Sequence, residues 1–182
     1  MDKFTLKKDE TVLLVIDIQE RLVPAMKSGD QVINKTNILL QAATNLGIPV
    51  LVTEQYPKGL GKTVEEVSKY LNQSKVFEKT SFSACIPEVV AELKGLGRKK
   101  VIIAGMETHV CVFQTVRDLL AHGYEVFVTE DAISSRTGEN KQNGLNLMSH
   151  MGAVVTNTET IIFDLLKKAG TPEFKVLSKL IK

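Results

Sequence analysis

Several things are scarce in this chain of 182 residues. Only two cysteines are present, Cys85 and Cys111. That is too few for a disulfide framework and points to free thiols in a reducing, cytoplasmic setting. Three histidines limit any imidazole-based metal site. No run approaches the ~20 apolar residues of a membrane span, and the charged opening Met1–Glu10 lacks a signal peptide's apolar stretch. No membrane partner is expected. An excess of one charge is missing too: 23 basic residues against 21 acidic leave a net +2, which gives no electrostatic ground for a nucleic-acid partner. Repeats, linkers and low-complexity segments are absent, so one domain over residues 1–182 is expected. The composition, 43% hydrophobic and 24% charged, is that of a globular chain able to bury its own core.

What is present is an alternation of short apolar runs with segments of helical period. Val12–Ile18 is nearly unbroken, as a strand buried on both faces should be. Pro49–Thr53, Ser74–Glu78, Lys100–Ala104, Tyr124–Thr129 and Ala153–Thr156 read as five further strands. Helices are predicted over Gln31–Leu46, weakly around Val64–Leu71, then over Pro87–Leu96, Val110–His122, Glu139–Met151 and Thr158–Lys168. Gly47, Gly97 and Gly123 stand where helices stop. Glu54–Thr63 is rich in Pro and Gly and reads as a loop, as does the polar stretch Glu130–Gly138. Phe174, Leu177, Leu180 and Ile181 form one apolar stripe on a short terminal helix, placed either against its own chain or in a subunit interface. This pattern predicts an α/β fold: a three-layer, doubly wound, mostly parallel six-stranded sheet with helices on both faces. In such sheets a site lies beyond the C-terminal strand ends, near the reversal of strand order.

Nucleotide binding does not follow from that fold. Asp17-Ile18-Gln19-Glu20-Arg21, not a glycine-rich turn, follows the first strand, and neither G-x-G-x-x-G after a strand nor G-x-x-x-x-G-K-[ST] occurs. Chemistry-bearing residues instead stand at three strand ends. Asp17 interrupts the first apolar run, where a carboxylate is costly unless paired or functional. Lys79 follows the third strand. Cys111 follows the fourth, in the first turn of the next helix with Thr108 as N-cap, where the helix start favours a thiolate. Taken singly, a turn-forming aspartate, a solvated lysine and a buried free cysteine are the plainer readings. Together, an acid, a cation and a thiol can activate a nucleophile. Cys85 has no such setting and reads as a buried hydrophobe.

At these residues the sequence resembles the isochorismatase-like cysteine hydrolase superfamily. The matching motifs are Leu13-Leu14-Val15-Ile16-Asp17-Ile18-Gln19, Lys79-Thr80-Ser81-Phe82-Ser83-Ala84 and Gly105-Met106-Glu107-Thr108-His109-Val110-Cys111. Glu130-Asp131-Ala132 and Ser134-Ser135-Arg136 agree as well. Glu54-Gln55-Tyr56-Pro57-Lys58-Gly59-Leu60-Gly61 and the terminal Pro172-Glu173-Phe174-Lys175 with Lys179-Leu180-Ile181-Lys182 look like the isochorismatase-domain-containing subgroup. The resemblance implies a catalytic triad of Asp17, Lys79 and Cys111. It also implies a cis peptide between Met106 and Glu107, and an oxyanion hole from the amides of Glu107 and Cys111.

Nicotinamidases of this superfamily hold a metal after the second strand with histidines; here that region reads Glu54-Gln55-Tyr56-Pro57, so no metal and no cofactor are expected. True isochorismatases generally lack the cysteine. The expectation is therefore hydrolysis of an amide-like C–N bond in a small molecule through a thioester. The alternatives are a catalytically silent binding protein, or a nicotinamidase or isochorismatase proper. Gln19, Gln55, Tyr56 and Phe82, each just beyond a strand end, are expected to contact substrate. His109 is read as solvated and Asp131 as a turn cap. Relatives usually assemble as homo-oligomers, and the same is expected here.

Overall fold

The computed structural model describes residues 2–72 and 74–181; Met1, Gln73 and Lys182 lie outside it. Strand β1 (Thr11–Ile16) is buried along its whole length. Its side chains alternate between two cores, Leu13 and Val15 entering one and Val12, Leu14 and Ile16 the other. That is why the run carries no polar residue until its end. Around it stand β2 (Val50–Gln55), β3 (Lys75–Lys79), β4 (Lys100–Met106), β5 (Glu125–Ser134) and β6 (Val154–Thr156). The order is β3-β2-β1-β4-β5-β6, and every neighbouring pair is parallel. The chain steps outward from β1 to β3, then returns to β4 on the other flank. The switch point of the sheet therefore lies between β1 and β4.

The α-helices of the described residues are α1 (Gly29–Leu46), α2 (Pro57–Leu60), α3 (Glu65–Ser68), α4 (Pro87–Leu96), α5 (Phe113–Ala121), α6 (Gly138–His150), α7 (Thr158–Leu166) and α8 (Pro172–Leu177), with short 3-10 helices at Asp2–Phe4 and Val23–Ala25. Helices α1 and α7 cover one face of the sheet with α8; α4 and α5 cover the other with α6. None of the described helices is long and apolar enough to cross a membrane.

Strand boundaries differ from those the sequence predicts, with a physical reason evident at β2 and β5. Strand β2 continues through Glu54 and Gln55, pairing with Glu78 and Lys79 of β3, because the Gln55 amide is hydrogen-bonded at both ends inside the fold and the Glu54 carboxylate is held by Thr63 and Lys62. Strand β5 runs on through the polar stretch: a register shift against β4 lets Ile133 and Ser134 pair with Gly105 and Met106. Val76 is exposed, β3 being an edge strand. The terminal stripe packs on its own chain, with Leu177 fully buried and Phe174, Leu180 and Ile181 against the first core.

Candidate active site

Asp17 follows β1 directly and adopts φ 53°, a left-handed conformation that aspartate tolerates better than most side chains. Gly105 of β4, which pairs with Ile16 across the switch point, also has positive φ, and a Cβ there would run into the backbone of Ile16. Only glycine lets the two strands approach so closely beside the aspartate. The Asp17 carboxylate is 0% exposed. Oδ1 accepts a hydrogen bond from Thr53 Oγ1 at 2.7 Å, and Oδ2 accepts one from Lys79 Nζ at 2.7 Å.

Lys79 closes β3, and its side chain is wholly buried. Besides Asp17, its ammonium donates to Gln55 Oε1 at 2.6 Å, to the Phe82 carbonyl at 2.9 Å and to the Ser81 carbonyl at 3.2 Å. Thr53 and Gln55, two apart on β2, present the same strand face to this pair. Thr53 escapes sequence reasoning. The available signal is a hydroxyl interrupting an apolar strand at its C-terminal end.

Cys111 lies in a π-helical turn, Thr108–Val112, between β4 and α5, and is 5% exposed. The preceding Met106–Glu107 peptide is cis. Thr108 does not cap the turn; its hydroxyl is buried without a partner, and Glu107 occupies the cap position. The expected thiolate at a helix start is also reversed. Burial first, and the neighbouring Asp17 carboxylate second, push the Cys111 thiol up to about 12. Burial likewise pushes Asp17 above the ordinary carboxylate value, against the pull of Lys79, Thr53 and Cys111. The site thus rests with a neutral thiol beside an acid that favours a proton more than usual. Cys85, half-buried in the loop before α4, has its thiol pushed up to about 11, again chiefly by burial. Thr115 of α5 ties the two cysteine regions together. Its hydroxyl donates to the Cys111 carbonyl at 2.6 Å and accepts from the Ala84 amide at 2.8 Å, while its carbonyl accepts from Cys85 Sγ at 3.7 Å.

The remaining candidates separate into ties and exposed side chains. Gln19 is fully buried: its Nε2 donates to the Gln55 and Gly61 carbonyls, and its Oε1 accepts from the Gln55 amide. These bonds fasten the loop after β2. Gln55 is likewise bound internally at both ends of its amide. Tyr56 and Phe82 are each 54% exposed, and Tyr56 borders a cavity of about 420 Å³ with Pro57, Ser81, Ile86 and Pro87. Glu107 accepts from the Arg136 amide at 3.2 Å and its Nε at 3.1 Å. The His109 ring contacts Ser135 Oγ at 3.0 Å, and Asp131 holds the Thr158 amide and hydroxyl at the start of α7. Among the described residues no three His, Cys, Asp or Glu side chains are grouped to share a metal ion.

Residues 11–160 match the isochorismatase domain family. The chain is 46% identical over 177 residues to the secreted isochorismatase effector Isc1 of Phytophthora sojae, covering 94% of this chain and 84% of that protein. It is 44% identical over 173 residues to isochorismatase domain-containing protein 1 of Salmo salar, covering 94% of this chain but 61% of the longer salmon protein. A solved structure described as MAR1 ribonuclease from Caenorhabditis elegans superposes with a TM-score of 0.93 at 39% identity, covering 97% and 92% of the two chains. Motifs, strand order and these likenesses agree: the chain has the isochorismatase-type hydrolase fold and belongs to the isochorismatase family, among its isochorismatase domain-containing proteins.

Proposed function

We propose that this protein is a cysteine hydrolase that opens an amide-like C–N bond in a small molecule. The observation that carries the reading is the wholly buried Asp17–Lys79 pair, 2.7 Å apart, with the Cys111 thiol close enough to be shifted by the Asp17 charge. In the first step Cys111 Sγ attacks the carbonyl carbon while its proton passes to Asp17, which the raised carboxyl favours. Lys79 holds its positive charge beside Asp17 throughout. The amides of Glu107 and Cys111 serve as donors to the developing oxyanion. As the C–N bond breaks, Asp17 returns the proton to the leaving nitrogen, and a thioester remains. Water then attacks the thioester and gives its proton to Asp17, the C–S bond breaks, and the sulfur recovers that proton.

Purified protein screened against small amides, ureides and imides should hydrolyse a member of the panel. Cys111→Ala and Asp17→Asn should each lower that rate at least a thousandfold, the scale on which removal of a nucleophile or its base acts. Near-normal turnover by Cys111→Ala would refute covalent catalysis. The nematode relative's description as a ribonuclease puts single-stranded RNA on the same panel. RNA cleavage that survives Cys111→Ala would replace this reading. A second reading, a binding protein that retains the fold without turnover, draws on the burial of Cys111, which is 5% exposed and has its thiol pushed up to about 12. Equally slow alkylation of Cys111 and Cys85 would support it. A reducing, cytoplasmic location and a homo-oligomeric state complete the proposal, supported by the two free cysteines and by the exposed Leu147 on α6 and Met151 just after it. Cell fractionation and sedimentation test them.

A further inference from the structure

The Lys79 ammonium has three protons, and the strong acceptors around it come from three different segments: Asp17 after β1, Gln55 on β2 and Phe82 beyond β3. Gln55 is unlike the other two, because an amide side chain can present either its oxygen or its nitrogen. Here the choice is forced. Gln55 Nε2 donates at 2.8 Å to the Thr80 carbonyl, a group that only accepts. Rotating the amide would set its N–H groups against the ammonium and its oxygen against a carbonyl. The backbone beneath is clamped from both sides, since the Gln55 amide donates to Gln19 Oε1 at 2.7 Å and its carbonyl accepts from Gln19 Nε2 at 2.9 Å. The neighbouring carboxylate, Glu54, does not compete for the lysine: it accepts from the Thr63 amide and hydroxyl and lies 3.2 Å from Lys62.

We propose that Gln55 is a positioning residue that fixes the Lys79 ammonium against Asp17 through a side-chain amide locked in one orientation. The inference rests on the catalytic reading above and replaces a substrate contact by Gln55 with a role behind the reacting atoms. With its three protons directed at Asp17, Gln55 and Phe82, Lys79 acts as a fixed charge, and the proton traffic of the reaction runs through Asp17. The charged and titratable groups that bear on Asp17 are then Lys79 from β3 and Cys111 from the turn after β4, with Glu107 acting on that thiol in turn.

The test needs no substrate. Alkylation of Cys111 by iodoacetamide, followed by mass spectrometry as pH is lowered, falls off when Asp17 takes up a proton and no longer accepts the thiol's. Gln55→Glu makes a second carboxylate share the ammonium, and Gln55→Met removes the acceptor. Both should move the fall-off to higher pH, by about one unit for Gln55→Glu and less for Gln55→Met. Arg21→Met loosens the same loop by removing the bond from Arg21 Nη1 to the Gly59 carbonyl, and should leave the fall-off in place. A folded Gln55 variant with the unshifted fall-off, or an equal shift in Arg21→Met, overturns the proposal. The unmutated protein supplies an independent check by nitrogen-15 NMR. The Lys79 ammonium protons should persist at neutral pH, and exchange as fast as at exposed lysines overturns the lock. Alkylation of Cys111 no faster than that of Cys85 would instead sink the nucleophile itself, so the two failures are distinguishable.

Discussion

Lys79 and Lys100 are both buried lysines, standing at opposite strand ends on two strands that β2 and β1 separate. Lys79 ends β3; Lys100 begins β4. Around Lys79 the counter-charge is Asp17, itself wholly buried. Around Lys100 the acceptors are the Asp2 and Thr5 carbonyls at 2.9 and 2.5 Å, with Glu125 at 3.2 Å and Glu10 at 3.8 Å. Those two carboxylates are 36% and 40% exposed. Lys100 therefore clamps the N-terminal segment to the sheet beside carboxylate side chains that are partly exposed. Lys79 is enclosed with an acid that is 0% exposed and a thiol that is 5% exposed. Burial of a cation is not by itself a mark of chemistry; what matters is whether its partner is also cut off from solvent and next to a reactive atom.

The sharpest way to break this contrast is to remove each lysine in turn. Lys79→Met should cost about 3–5 kcal/mol of stability, because it strands Asp17, and should lower hydrolysis or Cys111 alkylation at least a hundredfold. Lys100→Met should cost about 1–3 kcal/mol by orphaning the Asp2 and Thr5 carbonyls, with the rate per folded molecule unchanged. Denaturant titration and activity measured on the same samples separate the outcomes, and an equal loss of activity in both would abolish the distinction.

A middling effect concerns the two thiols. Their folded values, about 12 for Cys111 and about 11 for Cys85, lie above the usual 9.0. The stability they contribute is present below pH 9 and is lost as pH climbs toward the folded values, because the unfolded chain gives up these protons first. At pH 10 each should account for a loss of stability on the order of 1 kcal/mol relative to neutral pH. Cys111→Ala and Cys85→Ser should therefore each remove about half of the thiols' alkaline loss in urea titrations. A loss undiminished in Cys111→Ala would mean that the thiol is not held protonated. The smallest effect should come from Glu125→Gln. It weakens a half-exposed ion pair and should change stability by less than about 1 kcal/mol. A larger cost would show that the Lys100 end is as closed to water as the Lys79 end.

Much of this was legible in the residues. The six strands announce themselves as apolar runs, and Asp17 is conspicuous as the charge that ends the first. The parts that were not legible share one cause: polar side chains satisfied by partners distant in sequence look like loop residues. Glu54 and Gln55 read as loop because nothing local reveals Thr63 and Lys79 as their partners. Gln19 stands beyond a strand end like a ligand contact, yet all its polar atoms turn inward. The Cys111 thiol was misjudged for a related reason. A helix start can be read from spacing, whereas the burial and the nearby carboxylate that outweigh it exist only once β1 and β4 are side by side.

Thr115 has a practical consequence for anyone labelling this protein. Since its carbonyl takes the Cys85 thiol while its hydroxyl grips the turn bearing Cys111, a bulky reagent attached at 85 would press on the backbone that carries the second sulfur. The two sites do not report independently. Kinetic traces for Cys111 belong in a Cys85→Ser background, where no adduct next door can masquerade as a change in the nucleophile, and the Cys85 rate for comparison belongs in Cys111→Ala protein.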